Sequence, residues 1–286
     1  MKTLVLFLLA GATVNATAQQ QEILFKQEIK PDKQYTWIVK SVSNSSLDVS
    51  GSEEEIQKMK TEGQTFPSIR ESSSEDIRVL KTGSIKVDKS FPATLTYIKS
   101  TEINVENGKR TASRNPDPII SISGIYDSKN KFKVVSVIDS SNQALSKKQF
   151  YAYKTNYEKL QKKLSIFPNK PIKIGESFDH KGKARLLFPG CSNPVIMTIS
   201  SNYKLKKIEN NIAAFDIVKT VGLDVSSQKG NMNVIGNGIG IAEFDINLSY
   251  IVKEELNNET VIKLIINGLQ MTAVYKTKTN QDVKIE

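Results

Sequence analysis

The feature that most constrains the fold is a glycine run leading into a regular alternation of apolar and polar residues. Gly236, Gly238 and Gly240 come first. The apolar residues then recur at every second position, as Phe244, Ile246, Leu248, Tyr250 and Val252. A period of two is typical of a strand with one buried and one wet face. We therefore predict a strand over residues 243–253, with the glycines forming a bend that feeds it.

The N-terminus has the pattern of a secretory signal peptide. Lys2 supplies the positive charge, residues 4–10 form a short apolar core, and residues 16–18 read Ala-Thr-Ala, a typical cleavage site. The apolar run is far shorter than the ~20 residues that span a bilayer. We predict cleavage after Ala18 and release to the periplasm or the exterior. No cysteine lies near this site to carry a lipid anchor.

Composition limits the possible partners. The formal net charge is +10 and the pI about 9.4, which would suit an anionic partner. The lysines are scattered along the chain, however, and a solvated lysine-rich surface explains them better than a nucleic-acid interface. Cys191 is the only cysteine, so an intrachain disulfide is excluded and stability must come from packing.

Residues 19–142 read as the first of two β-rich halves. The predicted strands cover residues 35–39, 77–80, 84–87, 94–105, 119–126 and 132–138. Asn107-Gly108 and residues 127–130 are typical hairpin turns. Ser52 is the expected N-cap of a short surface helix over residues 53–60. Residues 62–76 are polar, and we predict a mobile loop there.

One longer helix is predicted over residues 147–164, within a connecting segment of residues 143–166. Ser146 is a suitable N-cap. Apolar residues then recur at three- and four-residue steps, as Phe150, Tyr153, Tyr157, Leu160 and Leu164. This stripe favours packing against a sheet over a stacking platform for bases or sugars.

Residues 167–286 form the second half. Its predicted strands cover residues 177–180, 184–188, 195–200, 202–208 and 213–225, with turns at residues 181–183 and 256–259. A change of phase at Asn267-Gly268 predicts a β-bulge. The fold class expected is mainly β (α+β): antiparallel curved sheets in two β-rich halves that pack together or share one continuous sheet, with one central helix.

Three short motifs resemble those of a known family. Residues 167–178 resemble the FPxxPVKVGDSW segment of a family of exported proteins of unknown function that is common in Bacteroidota. Tyr126-Asp127-Ser128 is similar to its YDS element, and residues 238–245 to its GxG…FD element. The chain departs from the pattern at Phe178, where tryptophan is usual, and at Glu176, where aspartate is usual. The resemblance covers most of the mature chain and implies export and a β-rich fold, with no established activity.

The glycine run does not have the context of a nucleotide site. A dinucleotide fingerprint needs a helix after its glycines, whose N-terminus meets the pyrophosphate, and a phosphate loop needs Gly-Lys-Ser/Thr. Here a strand follows the glycines. We favour a structural role, either a bend or the close approach of another backbone.

Catalytic and metal-binding patterns are weak. His180 is the only histidine, so it and Cys191 cannot complete a typical zinc site. A Cys191–His180 dyad is conceivable, but the predicted pairing places the two residues far apart. Glu176, Asp179 and His180 are close in sequence, with Asp179 on the opposite face of the strand. Glu243 and Asp245 fall on a wet face and read as solubilising.

These observations lead to three functional expectations. The first is a non-enzymatic exported binding protein for a lipid, a hydrophobic small molecule or an envelope polymer, with no cofactor and no assigned site residues. The alternative is a structural or protein-interaction module of the cell envelope. A carboxylate-based hydrolase is the third and least favoured. If a ligand site exists, we expect it where the second sheet curves, near the glycine run and Gly268.

Overall fold

A computed structural model describes residues 22–114, 120–139, 146–147, 150–152, 154–155, 157, 166–186, 195–223, 232–266 and 268–286. The signal-peptide residues lie outside these ranges. As predicted, the chain is mainly β. Its elements in chain order are β1 (Glu22–Ile23), β2 (Gln34–Gly51), α1 (Glu53–Thr61), β3 (Ser68–Thr82), β4 (Phe91–Glu106), β5 (Lys109–Arg114), β6 (Ser121–Tyr126), β7 (Phe132–Ile138), β8 (Ile172–Lys173), β9 (Ser177–Leu186), β10 (Val195–Glu209), β11 (Ile212–Leu223), β12 (Met232–Asp245), β13 (Tyr250–Ile266) and β14 (Leu269–Ile285).

One antiparallel sheet joins the two halves of the chain. Its strand order is β7-β6-β4-β3-β2-β14-β13-β12-β11-β10-β9, with β5 paired to β4. The junction is the long pairing of β14 with β2, from Leu269↔Gly51 to Ile285↔Tyr35. Of the two arrangements expected for the halves, the continuous sheet is confirmed. A separate two-stranded ribbon pairs β1 with β8.

The strands are much longer than the sequence predicted. β2 has 18 residues, which span about 60 Å at the usual rise of a strand. Its buried residues, Tyr35 and Val49, lie near its two ends, and no residue between them is buried. The same holds in β13, where residues 252–261 contain no buried residue. The middle of these two strands is therefore rich in polar residues, and both of its faces are partly wet.

This polar middle explains several wrong predictions. The loop expected over residues 62–76 is largely strand, because β3 begins at Ser68. The turn expected at residues 256–259 lies inside β13, and the turn at 181–183 lies inside β9. Residues 195–208 form one strand and not two. Conversely, residues 84–87, predicted as a strand, lie in the connection between β3 and β4.

The stretch around the glycine run also differs from expectation. Residues 246–249 form a tight turn, so the alternation from Phe244 to Val252 crosses a hairpin and not one strand. The turn is held by Leu248 N, which donates to Asp245 Oδ1 at 2.9 Å. The glycines lie within β12 itself. At Gly268 the predicted bulge is instead a hairpin connection between Ile266 and Leu269, with Gly268 at a φ of 77°; Asn267 lies outside the described residues.

Three hydrophobic clusters lie on one face of the sheet, here called the inner face. The first surrounds Tyr35, Leu80 and Tyr126 on the N-terminal strands. The second surrounds a group of phenylalanines on β9–β12, and the third includes Val49 and Val234 at the far ends of the strands. Parity along β2 and β12 places all three on the same face, because their buried residues are separated by even numbers of positions.

Both predicted helices have support. Ser52 caps α1 by accepting a hydrogen bond from Glu55 N, and Ile56 and Met59 pack on the third cluster. In the longer helix, the described residues between 147 and 157 are helical and Phe150 N donates to Ser146 O at 2.9 Å. Tyr157 is buried in the first cluster, as the stripe predicted. Tyr153, Leu160 and Leu164 lie outside the described residues.

The two predicted hairpin turns of the N-terminal half are confirmed. Asn107 and Gly108 join β4 to β5, and both have a positive φ, at 46° and 81°. Residues 127–131 join β6 to β7, with Asn130 at a φ of 59°.

Candidate functional site

A cavity of about 270 Å³ lies on the inner face between the sheet and the segment that precedes β2. It is lined by Gln27, Ile29, Trp37, Arg78, Leu95, Tyr97, Tyr126, Tyr157, Ile166, Tyr250, Ile251, Glu254 and Gln281. The lining is therefore rich in aromatic rings and contains one guanidinium and one carboxyl group. Such a mixture, apolar walls with a few polar groups, is typical of small-molecule sites.

Strand register brings the polar and aromatic groups together. Arg78 of β3 is directly paired with Trp37 of β2 and Tyr97 of β4, so the three side chains share the inner face. A register shift between Ile77 and Arg78 interrupts the β3–β4 pairing at this point. Bulges of this kind re-aim a side chain, and here the shift occurs beside the cavity.

The segment before β2 forms the opposite wall and is tied to two turns. Glu28 N donates to Ser249 O at 2.9 Å. Ile29 N donates to Asn130 Oδ1 at 2.9 Å, and Asn130 Nδ2 donates back to Ile29 O at 2.6 Å. Lys30 N donates to the Tyr35 hydroxyl at 2.7 Å. These contacts hold Gln27 and Ile29 over the sheet.

Tyr250 of the cavity wall and its neighbour Tyr35 are neutral phenols at physiological pH. Burial raises the pKa of Tyr250 to about 12, against the opposing effect of hydrogen bonds with Trp37 and Gln27. Burial also raises the pKa of Tyr35. The Tyr250 ring lies 5.3 Å from Tyr35 and 6.3 Å from Trp37, centroid to centroid. The group therefore supplies flat apolar surface together with hydrogen-bonding hydroxyls.

Arg78 has one hydrogen-bond donor without a partner in the described part of the chain. Its guanidinium carbon lies 6.0 Å from the centroid of the Tyr97 ring, at the limit of a cation–π contact. Its Nε is buried and has no hydrogen-bond acceptor within the described part of the chain. Burying a donor without a partner costs free energy, so such groups are rare in native proteins.

Glu254 lies on the opposite side of the cavity, on β13. Burial raises the pKa of its carboxyl, and the attraction of Lys219 partly opposes that rise. The Lys219 ammonium is affected in the complementary way: burial lowers its pKa, and Glu254 opposes the fall. Burial also raises the pKa of Tyr203, with the negative charge of Glu254 contributing.

The glycine run passes between Lys219 and Glu254. A Cβ on Gly240 would lie 2.2 Å from Glu255 O and 2.7 Å from Leu256 Cδ2, and one on Gly238 would lie 2.3 Å from Asn258 Oδ1. The glycines are thus required by the close approach of β13, which confirms one of the two structural roles expected. In the described chain, β12 is followed by β13 and not by a helix. The glycines therefore lack the helix N-terminus that a dinucleotide-binding site requires.

A second, more open depression of about 650 Å³ lies on the opposite, outer face at the middle of the sheet. Three apolar side chains there are more than half exposed, Val42 at 51%, Val218 at 53% and Ile239 at 66%. Lys276 and Glu259 form an ion pair of 3.5 Å at its edge. Amide side chains of Asn44, Asn237 and Asn257 complete the surface.

The structure does not bring the residues considered from sequence into one site. His180 lies in the middle of β9 opposite Ser201, while the Asp179 carboxylate on the other face accepts from Asn202 at 2.8 Å. Glu176 accepts from the backbone N of Lys173 at 3.0 Å in the turn before β9. Cys191 lies outside the described residues. No cluster of three or more metal-ligating side chains occurs within the described ranges.

Sequence reasoning missed Arg78 and Glu254, although each carries a signal. Arg78 is a charged residue within the apolar run Ile77-Arg78-Val79-Leu80, where one face must be buried. Glu254 is the first of two adjacent acids, and alternation must turn one of them to the inner face. The bulges at Ile77/Arg78 and Glu243/Phe244 shift the phase of the strands, which hides the pattern.

Comparison with known proteins adds little. No protein-family model matches the chain, and no curated protein matches it. Among solved structures, the crystal structure of Pseudomonas aeruginosa OccK7 (OpdD) is similar over 88% of this chain and 99% of that chain, with 6% identity and a TM-score of 0.31. A similarity this low establishes neither a shared fold nor a shared function. No helix in the described ranges has the length and hydrophobicity needed to cross a bilayer.

Proposed function

We propose that this chain is an exported, non-enzymatic binding protein that holds a small molecule in the inner-face cavity. The observation that carries the proposal is the cavity itself, whose aromatic wall is interrupted by one guanidinium and one carboxyl group. The predicted signal peptide and the resemblance to an exported Bacteroidota family support export to the periplasm or the exterior. The lining groups suit recognition, because they combine flat apolar surfaces with hydrogen-bonding side chains.

The size of the cavity narrows the ligand. Small-molecule sites usually occupy ~300–1,000 Å³, and a volume of about 270 Å³ lies just below that range. A compact molecule is therefore a better fit than a lipid with long acyl chains or a polymer. Among the ligand classes expected from sequence, we favour the small molecule.

Native mass spectrometry of the protein purified from its own cell envelope tests this proposal. We expect a bound species of small, reproducible mass. Gln281→Trp should abolish it, because Gln281 lines the cavity and a larger ring would fill the space. Asp282→Trp is the matched control, since the next residue on β14 points to the outer face. An unliganded wild-type protein, or equal occupancy of both variants, would refute the proposal.

A protein-interaction module of the envelope is the second candidate. It is favoured by the exposed apolar side chains of the outer face, of which Ile239 is the most exposed at 66%. An envelope protein would cover Ile239 and Val218 in this case. Chemical cross-linking in intact cells should then give one reproducible adduct that Ile239→Lys removes and Asn233→Lys, on the same face of β12, leaves in place. Adducts that are unaffected by Ile239→Lys would count against it.

A further inference from the structure

The position of Arg78 points to the chemistry of the ligand. Arg78 lies between Trp37 and Tyr97 on the inner face and lines the cavity. Its Nε is buried and has no acceptor within the described residues. A planar guanidinium that lines a cavity beside an aromatic ring is a good receptor for a carboxylate, which it can bind through two parallel hydrogen bonds.

The surrounding groups decide between an anion and other polar ligands. The guanidinium is always charged, whereas burial raises the pKa of Tyr250 and that of Tyr35, so these two phenols are neutral. Asp76 lies on the same face two positions along β3, opposite Val39. The Arg78 Nε has no acceptor there, and the residue lines this end of the cavity, so its positive charge is left for an external anion.

The other end of the cavity offers a hydrogen-bond acceptor instead of a donor. Glu254 lies three strands away from Arg78, which corresponds to about 14 Å across the sheet between the two backbones. Both residues line the cavity. A carboxyl group at this end accepts a hydrogen bond from a hydroxyl or amide of the ligand. The rings of Trp37, Tyr97 and Tyr250 also line the cavity. Trp37 lies on β2, between the strands of Arg78 and Glu254.

We infer that the cavity binds a small aromatic or similarly flat organic acid, with its carboxylate on Arg78 and a hydrogen-bond donor directed at Glu254. This inference rests on the proposed binding function and adds the chemical class of the ligand. The ligand is oriented by its two unlike ends, and its body is held by the aromatic walls. Charge selectivity at the Arg78 end is therefore the property to measure.

Three probes of nearly identical shape measure this selectivity. They are para-hydroxyphenylacetate, its neutral amide para-hydroxyphenylacetamide, and the cation tyramine. By calorimetry at low salt, we expect the carboxylate to bind at least about tenfold more tightly than the amide and the cation to bind most weakly, since a hydrogen-bonded charge pair adds roughly 1.4 kcal/mol or more. In Arg78→Met the carboxylate should lose this advantage.

A second variant and an NMR measurement on the wild type distinguish a lost carboxylate contact from a misfolded variant. Arg78→Lys keeps the positive charge but lacks the planar guanidinium that binds a carboxylate through two hydrogen bonds. It should therefore retain a smaller preference for the carboxylate. In the wild type, the Nε–H resonance of Arg78 in a nitrogen-15 NMR spectrum should shift with the carboxylate and not with the amide. Glu71→Gln, an exposed acid on the outer face of the same strand, should bind all three probes like the wild type.

The outcomes separate this inference from the function on which it rests. Equal binding of the three probes, a preference that survives in Arg78→Met, or no saturable binding of any probe would overturn the organic-acid class. None of these results would remove a small molecule detected by native mass spectrometry and lost in Gln281→Trp. Conversely, a protein that purifies empty but shows the expected selectivity would retain the site and refute natural occupancy.

Discussion

Lys219 and Glu254 interact across a strand that places no side chain between them. Lys219 on β11 is level with Gly238 of β12, and Glu254 on β13 is level with Ala242. The line between the two therefore crosses β12 at Gly240. Each group influences the pKa of the other, although burial is the larger influence on both. The glycine run thus lets two half-buried groups of opposite charge interact on the inner face.

Gly240→Ala should destabilise the protein. A Cβ at this position meets Glu255 O at 2.2 Å, and a backbone carbonyl in the middle of a sheet cannot move away freely. We expect a loss of roughly 1–3 kcal/mol in the free energy of unfolding, as is usual for overpacking, measured by urea denaturation. Gly182→Ala is the matched control, because a Cβ there meets nothing within 4 Å. If both substitutions change stability equally, β13 does not approach Gly240 closely enough to exclude a Cβ.

Glu254→Gln should stabilise the protein near neutral pH. Burial raises the pKa of Glu254 above its ordinary value of 4.5, so the unfolded chain loses this proton at a lower pH than the folded chain. The stability of the wild type therefore falls as pH rises from about 4.5 through the folded pKa. Glutamine does not titrate. The stability gained by Glu254→Gln should be largest above the folded pKa and should shrink as pH falls below 4.5. Urea midpoints of the variant and the wild type at several pH values measure this difference.

The neighbouring acid provides the control for this pH dependence. Glu255 lies on the outer face and pairs with Lys253 at 2.9 Å. Glu255→Gln should change stability by less than about 1 kcal/mol, because exposed ion pairs contribute little. If Glu254→Gln is instead less stable than the wild type at neutral pH, then the attraction of Lys219 outweighs the cost of burial.

Local signals correctly predicted the hairpin turns at residues 107–108 and 127–130 and the starts of both helices. They failed in the middle of the strands, where turns were predicted at residues 181–183 and 256–259. Asn107-Gly108 was identified because both residues tolerate a positive φ, which a tight hairpin requires. Ser52 was identified because its side chain can satisfy a free N–H of α1. Both features depend on a few adjacent residues. The continuous sheet, in contrast, depends on β14 pairing with β2 across more than two hundred residues.

The candidate site was beyond sequence reasoning for a related reason. Ser68–Thr82 and Tyr250–Ile266 contain polar stretches that read as loops, since a strand is normally recognised by one buried face. In these two strands both faces are partly wet in the middle, and buried residues occur only toward the ends. Arg78 and Glu254 come together only after four strands are paired in register. No local sequence pattern predicts which strands pair or in which register.

Asn130 should be important for closing the cavity. Its side chain exchanges two hydrogen bonds with the backbone of Ile29, and its own φ is positive. Asn130→Gly keeps the favourable backbone conformation but removes both bonds, so we expect a loss of about 1–3 kcal/mol. Asn130→Ala adds strain at the positive φ and should cost more. Thermal unfolding of the two variants measures the difference. If Asn130→Gly is as stable as the wild type, the two hydrogen bonds to Ile29 do not hold the segment in place.

Phe25 should anchor the segment that covers the cavity. Its ring centroid lies 5.4 Å from that of Phe167, 5.2 Å from Phe215 and 5.4 Å from Phe244. Phe25→Ala removes a buried ring from this cluster, and we expect a loss of about 3–5 kcal/mol in the free energy of unfolding.

Leu24→Ala is the matched control for Phe25→Ala. Leu24 is 58% exposed, so its truncation should change the free energy of unfolding by less than about 0.5 kcal/mol. Because Phe25 lies two residues before Gln27, its loss should also weaken probe binding at temperatures where the rest of the protein is still folded. Similar unfolding curves for the two variants would show that the segment before β2 is not anchored by the phenylalanine cluster. The cavity would then lack a fixed wall.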